Sequence, residues 1–109
     1  MEVLDSSAFI REYTTDEPVV SVPEVHDELT GEVALRFDAM EGAGMTVHVP
    51  APEAIENVRR AANGSGDAAE LSETDVRLIA TALELHATPV TDDYATQNVA
   101  ERRDLPVEA

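Results

Sequence analysis

Four acidic residues follow predicted strands or lie in predicted helices at places where their carboxylates could share one pocket. They are Asp5, Glu28, Asp75 and Asp93. Hard cations such as Mg²⁺ and Mn²⁺ prefer carboxylate and water oxygens as ligands. One or two such ions can orient a water molecule, lower its pKa and stabilise the leaving group of a phosphodiester. The four residues therefore predict a Mg²⁺ or Mn²⁺ site that acts on phosphodiesters.

Each acid also has a plainer structural interpretation. Ser72 and Asp75 have the S-x-x-D spacing of a capping box, and Asp93 could cap the last helix. Glu28 taken alone would lie on a solvated helix face. Asp5 is harder to explain in this way, because an acid in an otherwise apolar opening strand rarely serves stability. Ser6 and Ser7 next to it could cap a helical turn or hold a metal-bound water.

Strand and helix signals alternate along the chain and predict an α/β fold. Strands are expected at 3–5, 18–22, 45–49 and 88–91, and helical segments at 6–10, 23–40, 52–62, 72–85 and 94–103, with an extended start at 105–107. This order predicts three layers, with a central parallel sheet of four or five strands flanked by helices. Ligands of such sheets gather beyond the carboxyl ends of the strands, near the switch in strand order. Asp5, Asp92 and Asp93 fall at such ends.

The segment after the second strand predicts one helix with one apolar stripe. The stripe consists of Val25, Leu29, Val33, Phe37 and Met40. At about 100° per residue, Glu28 lies about 60° to one side of the stripe. Its carboxylate would then reach a crevice at the edge of the core.

Composition restricts the class of protein. A length of 109 residues suits a single domain. The formal charge is −16, because the chain has 23 acidic residues, 7 arginines and no lysine. Because molar salt screens such repulsion, we expect a halophilic archaeal source, with an acidic interaction module of an ordinary cell as the alternative. The chain has no cysteine, which excludes disulfides and cysteine-based zinc sites. With no long apolar run and no signal-like start, we expect a cytoplasmic protein without membrane contact.

Other chemistries find little support in the sequence. The three histidines lack the spacing of a zinc site, and no Walker, G-x-S-x-G or G-x-G-x-x-G pattern occurs. The basic clusters are Arg59-Arg60 and Arg102-Arg103. Each is expected either on a solvated surface or in contact with phosphate.

The arrangement of acids resembles the PIN-domain nucleases over most of the chain. The string VLDSSAFI at 3–10 is similar to the family's opening strand, acid and hydroxyl pair, and VHDEL at 25–29 to its V-x-x-E-hydrophobic segment. LSETD at 71–75 resembles the segment of the third acid, and TDD at 91–93 the T-x-D pattern of the fourth. The resemblance implies that Asp5, Glu28, Asp75 and Asp93 are metal ligands, with Asp92 as an auxiliary.

Within this superfamily, TDDYATQNVA at 91–100 looks most like the Nob-type endonucleases, which trim the 3′ end of small-subunit ribosomal RNA precursors. The resemblance implies an endoribonuclease with pre-ribosomal RNA and the pre-ribosomal small subunit as partners, and Ser6, Ser7 and Asn98 as auxiliary site residues. Nob-type enzymes continue into a cysteine-rich zinc ribbon. We therefore expect either a nuclease domain cut before the ribbon or a relative without it. The alternatives are a VapC-like toxin ribonuclease and a PIN-like domain that binds RNA or protein without catalysis.

Overall fold

The computed structural model describes residues 1–66, 68–103 and 105, and its centre is a parallel sheet of short strands. The strands are β1 Glu2–Leu4, β2 Val19–Ser21, β3 Thr46–Val47 and β4 Thr88–Val90, in the order β3-β2-β1-β4. All three residues of β1 are buried, as expected for a central strand covered on both faces. The predicted α/β fold with a parallel sheet of at least four strands is confirmed.

In the part of the chain that the structure describes, six helices connect or follow the strands. They are α1 Ser6–Ile10, α2 Pro23–Glu28, α3 Gly31–Gly42, α4 Pro52–Ser65, α5 Glu73–Leu85 and α6 Tyr94–Arg102. Crossovers between parallel strands are right-handed, and β4 is added on the opposite side of β1 from β2 and β3. Helices α1 to α3 therefore lie on one face of the sheet, and α4 and α5 lie on the other. The contacts agree: α1 packs on α2 and α3, while α4, α5 and α6 pack together. None of these described helices is long and apolar enough to cross a membrane.

Among the described residues the core has two parts, one for each helix layer. The larger part lies around the sheet and includes Val3, Leu4 and Phe37, with the rings of Phe9 and Phe37 5.1 Å apart between centroids. The smaller part lies where α4, α5 and α6 meet and contains Ile79, which is fully buried. Helix α5 therefore holds the second layer against the sheet.

The single helix predicted across 23–40 is wrong, because the structure has two helices there. Leu29 is extended, with φ −90° and ψ 147°, and Thr30 is also extended. Gly31 then has φ 59°, a conformation that glycine adopts without the steric cost of a Cβ. Leu29 stays 8% exposed, so the turn keeps this side chain in the core while it redirects the chain. The apolar stripe is thus divided between α2 and α3.

Helix α5 matches its prediction closely. Ser72 Oγ accepts a hydrogen bond from the Asp75 N–H at 3.1 Å, and the Asp75 carboxylate accepts one from the Ser72 N–H at 3.2 Å. This is the predicted capping box. The expected deep burial is also confirmed, because six residues of the helix are buried, among them Ile79 and Ala80. Of the extended segment predicted at 105–107, only Leu105 lies within the described residues.

Candidate active site

The change in strand order occurs between β1 and β4. The chain passes from β1 to β2 and β3 on one side and then adds β4 on the other side of β1. Leu4 and Val90, the last residues of β1 and β4, are paired in the sheet. Asp5 and Thr91 follow directly at the carboxyl ends of these strands. This is the place where open parallel sheets bind ligands.

Asp5 is held at the start of α1. Its side chain is 8% exposed, and its Oδ1 accepts hydrogen bonds from the Ala8 N–H at 3.1 Å and from Ser7 Oγ at 2.6 Å. Asp5 itself is therefore the N-cap of α1, and the expectation that Ser6 or Ser7 caps this turn is wrong. The reason is position, because the chain leaves the extended conformation at Asp5, one residue before the serines. Ser7 instead donates to the Asp5 carboxylate.

Asp93 occupies the equivalent position at the start of α6. Its Oδ2 accepts hydrogen bonds from the Thr96 N–H at 2.9 Å and from Thr96 Oγ1 at 2.6 Å. Its own N–H donates to Thr91 Oγ1 at 3.1 Å. The predicted capping role of Asp93 is confirmed, and its carboxylate is oriented by a side chain one turn into the helix. Asp92 beside it is exposed.

Asp75 is half-buried in the first turn of α5, and the other two acids influence its pKa. Burial raises the pKa of its carboxyl, the hydrogen bonds from Ser72 lower it, and the negative charges of Asp93 and Asp5 raise it further. Asp5 and Asp93 are therefore near enough to Asp75 for their negative charges to act on its carboxyl. Each of the three comes from a different helix start.

The structure gives no such support for Glu28. Glu28 is the last residue of α2 and is exposed, and no described side chain forms a hydrogen bond or ion pair with it. The turn at Leu29 also means that an angle measured along one continuous helix does not locate Glu28. Asn98 is half-buried on α6 and makes an interaction within the molecule. The metal-site and auxiliary roles of all the predicted residues stay predictions; these residues are Asp5, Ser6, Ser7, Glu28, Asp75, Asp92, Asp93 and Asn98.

The donor chemistry of the three acids fits a hard cation. In the described residues, Asp5 and Asp93 use one carboxylate oxygen for their caps, Asp75 uses one for Ser72, and the second oxygen of each receives no hydrogen bond. Over the same part of the chain, no three histidine, aspartate or glutamate side chains form a group that could hold a metal ion as they stand. Joint coordination of an ion would therefore require the three carboxylates to move closer together.

Two residues that fix the site were missed from the sequence. Thr96 binds the Asp93 carboxylate, and Gln97 Nε2 donates to the Thr91 carbonyl at 2.8 Å, which joins α6 to the end of β4. A hydroxyl three residues after an N-cap aspartate is a visible signal for the first contact. The Gln97 contact has no such signal, because it depends on how α6 leaves the sheet.

Comparison with known proteins shows which family this chain is similar to. Residues 3–85 match the family described as "PIN domain of ribonuclease". The protein named Endoribonuclease Nob1 of Archaeoglobus fulgidus is 36% identical over an alignment of 105 residues, which covers 92% of this chain and 62% of that protein. The chain thus spans about three fifths of that relative's length. Ribonuclease VapC1 of Thermoplasma acidophilum is 45% identical over 56 residues, 51% of this chain and 29% of that protein.

A solved structure has the same fold. The structure titled "Crystal Structure of FitAcB from Neisseria gonorrhoeae" aligns with a TM-score of 0.60 and 18% identity, covering 100% of this chain and 97% of that one. The likeness shows the architecture, and the match over residues 3–85 confirms the resemblance noted in the acidic motifs. The chain belongs to the family of ribonuclease PIN domains.

Proposed function

We propose that residues 1–109 form the nuclease domain of a divalent-metal-dependent endoribonuclease that cleaves precursor RNA at the 3′ end of small-subunit ribosomal RNA. One observation carries the proposal: Asp5 and Asp93 follow the paired strands β1 and β4 at the strand switch of a ribonuclease PIN domain, and their negative charges act on Asp75. The name of the Archaeoglobus fulgidus relative, Endoribonuclease Nob1, supports the proposal that this domain cleaves RNA at internal positions.

These three acids would hold the metal ion, either Mg²⁺ or Mn²⁺, with Glu28 as the fourth ligand and Asp92 as an auxiliary. When bound, such an ion supplies water activation and stabilises charge on the leaving oxygen. The oxygen-only donor set suits a hard cation. The negative charges of Asp5 and Asp93 already act on Asp75. A cation bound between the three carboxylates would relieve their mutual repulsion.

The residues around the acids orient them for this task. Ser7 and the Ala8 N–H fix Asp5, while Thr96 fixes Asp93. Ligands held by such contacts need less ordering when metal and RNA bind. Ser6 and Asn98 are further auxiliary groups of the proposed site.

A metal titration tests the proposal. The 109-residue chain is incubated with a precursor RNA that spans the 3′ end of the small-subunit sequence, with EDTA, Mg²⁺ or Mn²⁺. Cleavage at an internal position with either ion, and none with EDTA, is the expected result. If neither ion supports cleavage, the chain is a binding domain with the PIN fold and the proposed activity is wrong.

A toxin ribonuclease of the VapC type is the second candidate, because Ribonuclease VapC1 matches 51% of this chain. Such an enzyme would use the same acids but would depend on a small inhibitory partner. Purification from its natural host separates the two. A stoichiometric small protein that blocks RNA cleavage would favour the toxin, and association with pre-ribosomal particles would favour the first proposal.

A further inference from the structure

Two arginines face the same cleft between α4 and α6. Arg60 of α4 and Arg103, the C-cap of α6, line a cleft of about 470 Å³ together with Asn57 and Ala61. Both arginine side chains are exposed. Among the described residues, no carboxylate pairs with either guanidinium and no hydrogen bond reaches it.

Other described arginines have partners, and Arg11 lies over the Tyr13 ring with its Cζ 5.6 Å from the ring centroid. Arg36 pairs with Glu12 at 3.2 Å, and Arg59 and Arg77 both pair with Glu73 at 2.7 Å. In a chain with 23 acidic residues, carboxylate partners are abundant. Two guanidiniums without a carboxylate or aromatic partner in one cleft are therefore an exception, and both would attract an anion that enters the cleft.

We propose that Arg60 and Arg103, with the Asn57 amide, form a subsite that binds a backbone phosphate of the RNA strand, away from the acidic site. This inference rests on the proposed ribonuclease function. A guanidinium presents five N–H donors in a planar fork that matches phosphate, and the Asn57 amide adds two more. Because the molecule carries a charge of −16, RNA needs local positive sites to stay bound.

Helix α6 sets the separation between this subsite and the acids. Asp93 caps its first turn and Arg103 its last, so at 1.5 Å per residue the two backbones lie about 15 Å apart along the helix. A stacked strand advances about 3.4 Å per nucleotide, so about four nucleotides cover this distance. An RNA cut at the acids would therefore place a phosphate about four nucleotides away in the arginine cleft.

RNA binding by a double variant tests the subsite. We compare the parent chain, Arg60→Gln/Arg103→Gln and the control Arg36→Gln, which removes a paired arginine from the other helix layer. The probe is a labelled single-stranded RNA of about ten nucleotides, in EDTA, over a range of KCl concentrations. The double variant should bind about 10-fold more weakly and lower the slope of log K against log salt by about one, with the control close to the parent.

Substrate length gives a second readout. With metal present, the double variant should cleave a substrate of about three nucleotides as the parent does, since that RNA is too short to reach the cleft, but should lose efficiency on the longer RNA through KM. Melting curves of the double variant and the parent should coincide, because the side chains of Arg60 and Arg103 are exposed.

Unchanged affinity and salt slope in the double variant would overturn the subsite, as would an equal loss in Arg36→Gln. Absence of cleavage by the parent would count against the nuclease proposal instead. The binding measurement in EDTA then still decides the subsite, because it does not depend on cleavage.

Discussion

Single carboxylates in this domain serve two purposes at once. Asp5 and Asp93 cap α1 and α6, and Asp75 completes the capping box of α5, yet the same three groups form the candidate metal site. A cap needs only an acceptor oxygen, whereas a metal ligand needs negative charge. Aspartate-to-asparagine changes separate the two roles, because asparagine keeps the acceptor and removes the charge.

Replacing Asp5 by Asn should lower metal-dependent RNA cleavage at least about 100-fold, the scale on which lost metal ligation acts. The amide oxygen can still accept from Ala8 and Ser7, and one negative charge near Asp75 is gone. The melting midpoint without metal should therefore stay equal or rise. Cleavage rates and melting curves of both proteins measure this, and undiminished cleavage would remove Asp5 from the active site.

Replacing Asp75 by Asn should have an effect on stability that depends on pH. The folded pKa of Asp75 is raised, chiefly by burial, so the folded state binds this proton more tightly than the unfolded chain. The contribution of Asp75 to stability is therefore full at low pH and is lost as pH rises through the raised pKa.

The metal-free Asp75→Asn protein should match the parent in acid and melt a few degrees higher at neutral pH, a gain below about 1 kcal/mol after solvent screening. Thermal melts from acid to neutral pH measure the difference. A difference that is constant over this range would show that charge on Asp75 is not its cause. Ser72→Ala serves as the capping control, since it should lower the midpoint at every pH by an amount typical of a lost cap, about 1 kcal/mol.

At the scale of elements, local signals predicted more than distant ones. The capping box of Ser72 and Asp75 and the position of Asp5 at the end of β1 follow from neighbouring residues, and the structure has both. The turn at Leu29 does not follow from spacing, because i, i+4 apolar residues favour one continuous helix. Gly31 was the available signal, but whether it turns the chain depends on how Leu29 is buried against the sheet. For the same reason the sequence could not place Glu28.

The end of α5 offers a prediction at this scale. His86 is the C-cap of α5 with φ 52° and ψ 43°, a left-handed conformation that costs a residue with a Cβ about 1 to 2 kcal/mol. His86→Gly removes that cost but gives the unfolded chain more freedom, so the net gain should be about 0.5 to 1 kcal/mol, a rise of a few degrees in Tm. His86→Ala keeps the Cβ and is the matched control.

Cleavage should be unaffected by His86→Gly, because His86 lies at the opposite end of α5 from Asp75. Thermal melts and RNA cleavage rates measure the two quantities. A His86→Ala protein that gains as much as His86→Gly would show that loss of the imidazole, not relief of backbone strain, is the cause.

At the scale of the whole molecule, charge has to be reconciled with the proposed substrate. The chain carries −16, and RNA is also negative, so the long-range force between them is repulsive. Three features would oppose it: salt that screens the repulsion, a metal ion between the acids and the phosphate, and the unpaired arginines of the α4–α6 cleft. The same repulsion acts within the folded chain, because its carboxylates are closer together than in the unfolded state.

Stability should therefore rise with salt. Between about 0.01 M and 1 M KCl the Debye length falls from about 30 Å to about 3 Å, which removes most repulsion between separated surface carboxylates. A gain of roughly 1 to 2 kcal/mol corresponds to a rise of about 5 to 10 °C in Tm. Thermal melts across this range measure it. A midpoint that is flat or falls with KCl would contradict the salt-adapted interpretation of the composition.

A charge-deleted variant shows whether screening is the cause of that rise. Glu41 and Glu101 are exposed in the last turns of α3 and α6, and no described arginine or histidine pairs with them. A negative charge is unfavourable there because the helix dipole is also negative at its carboxyl end. Glu41→Gln/Glu101→Gln should therefore melt higher than the parent at low salt and gain less from KCl, so that the two curves converge near 1 M. Parallel curves would mean that KCl acts through burial of apolar surface, which these substitutions leave unchanged.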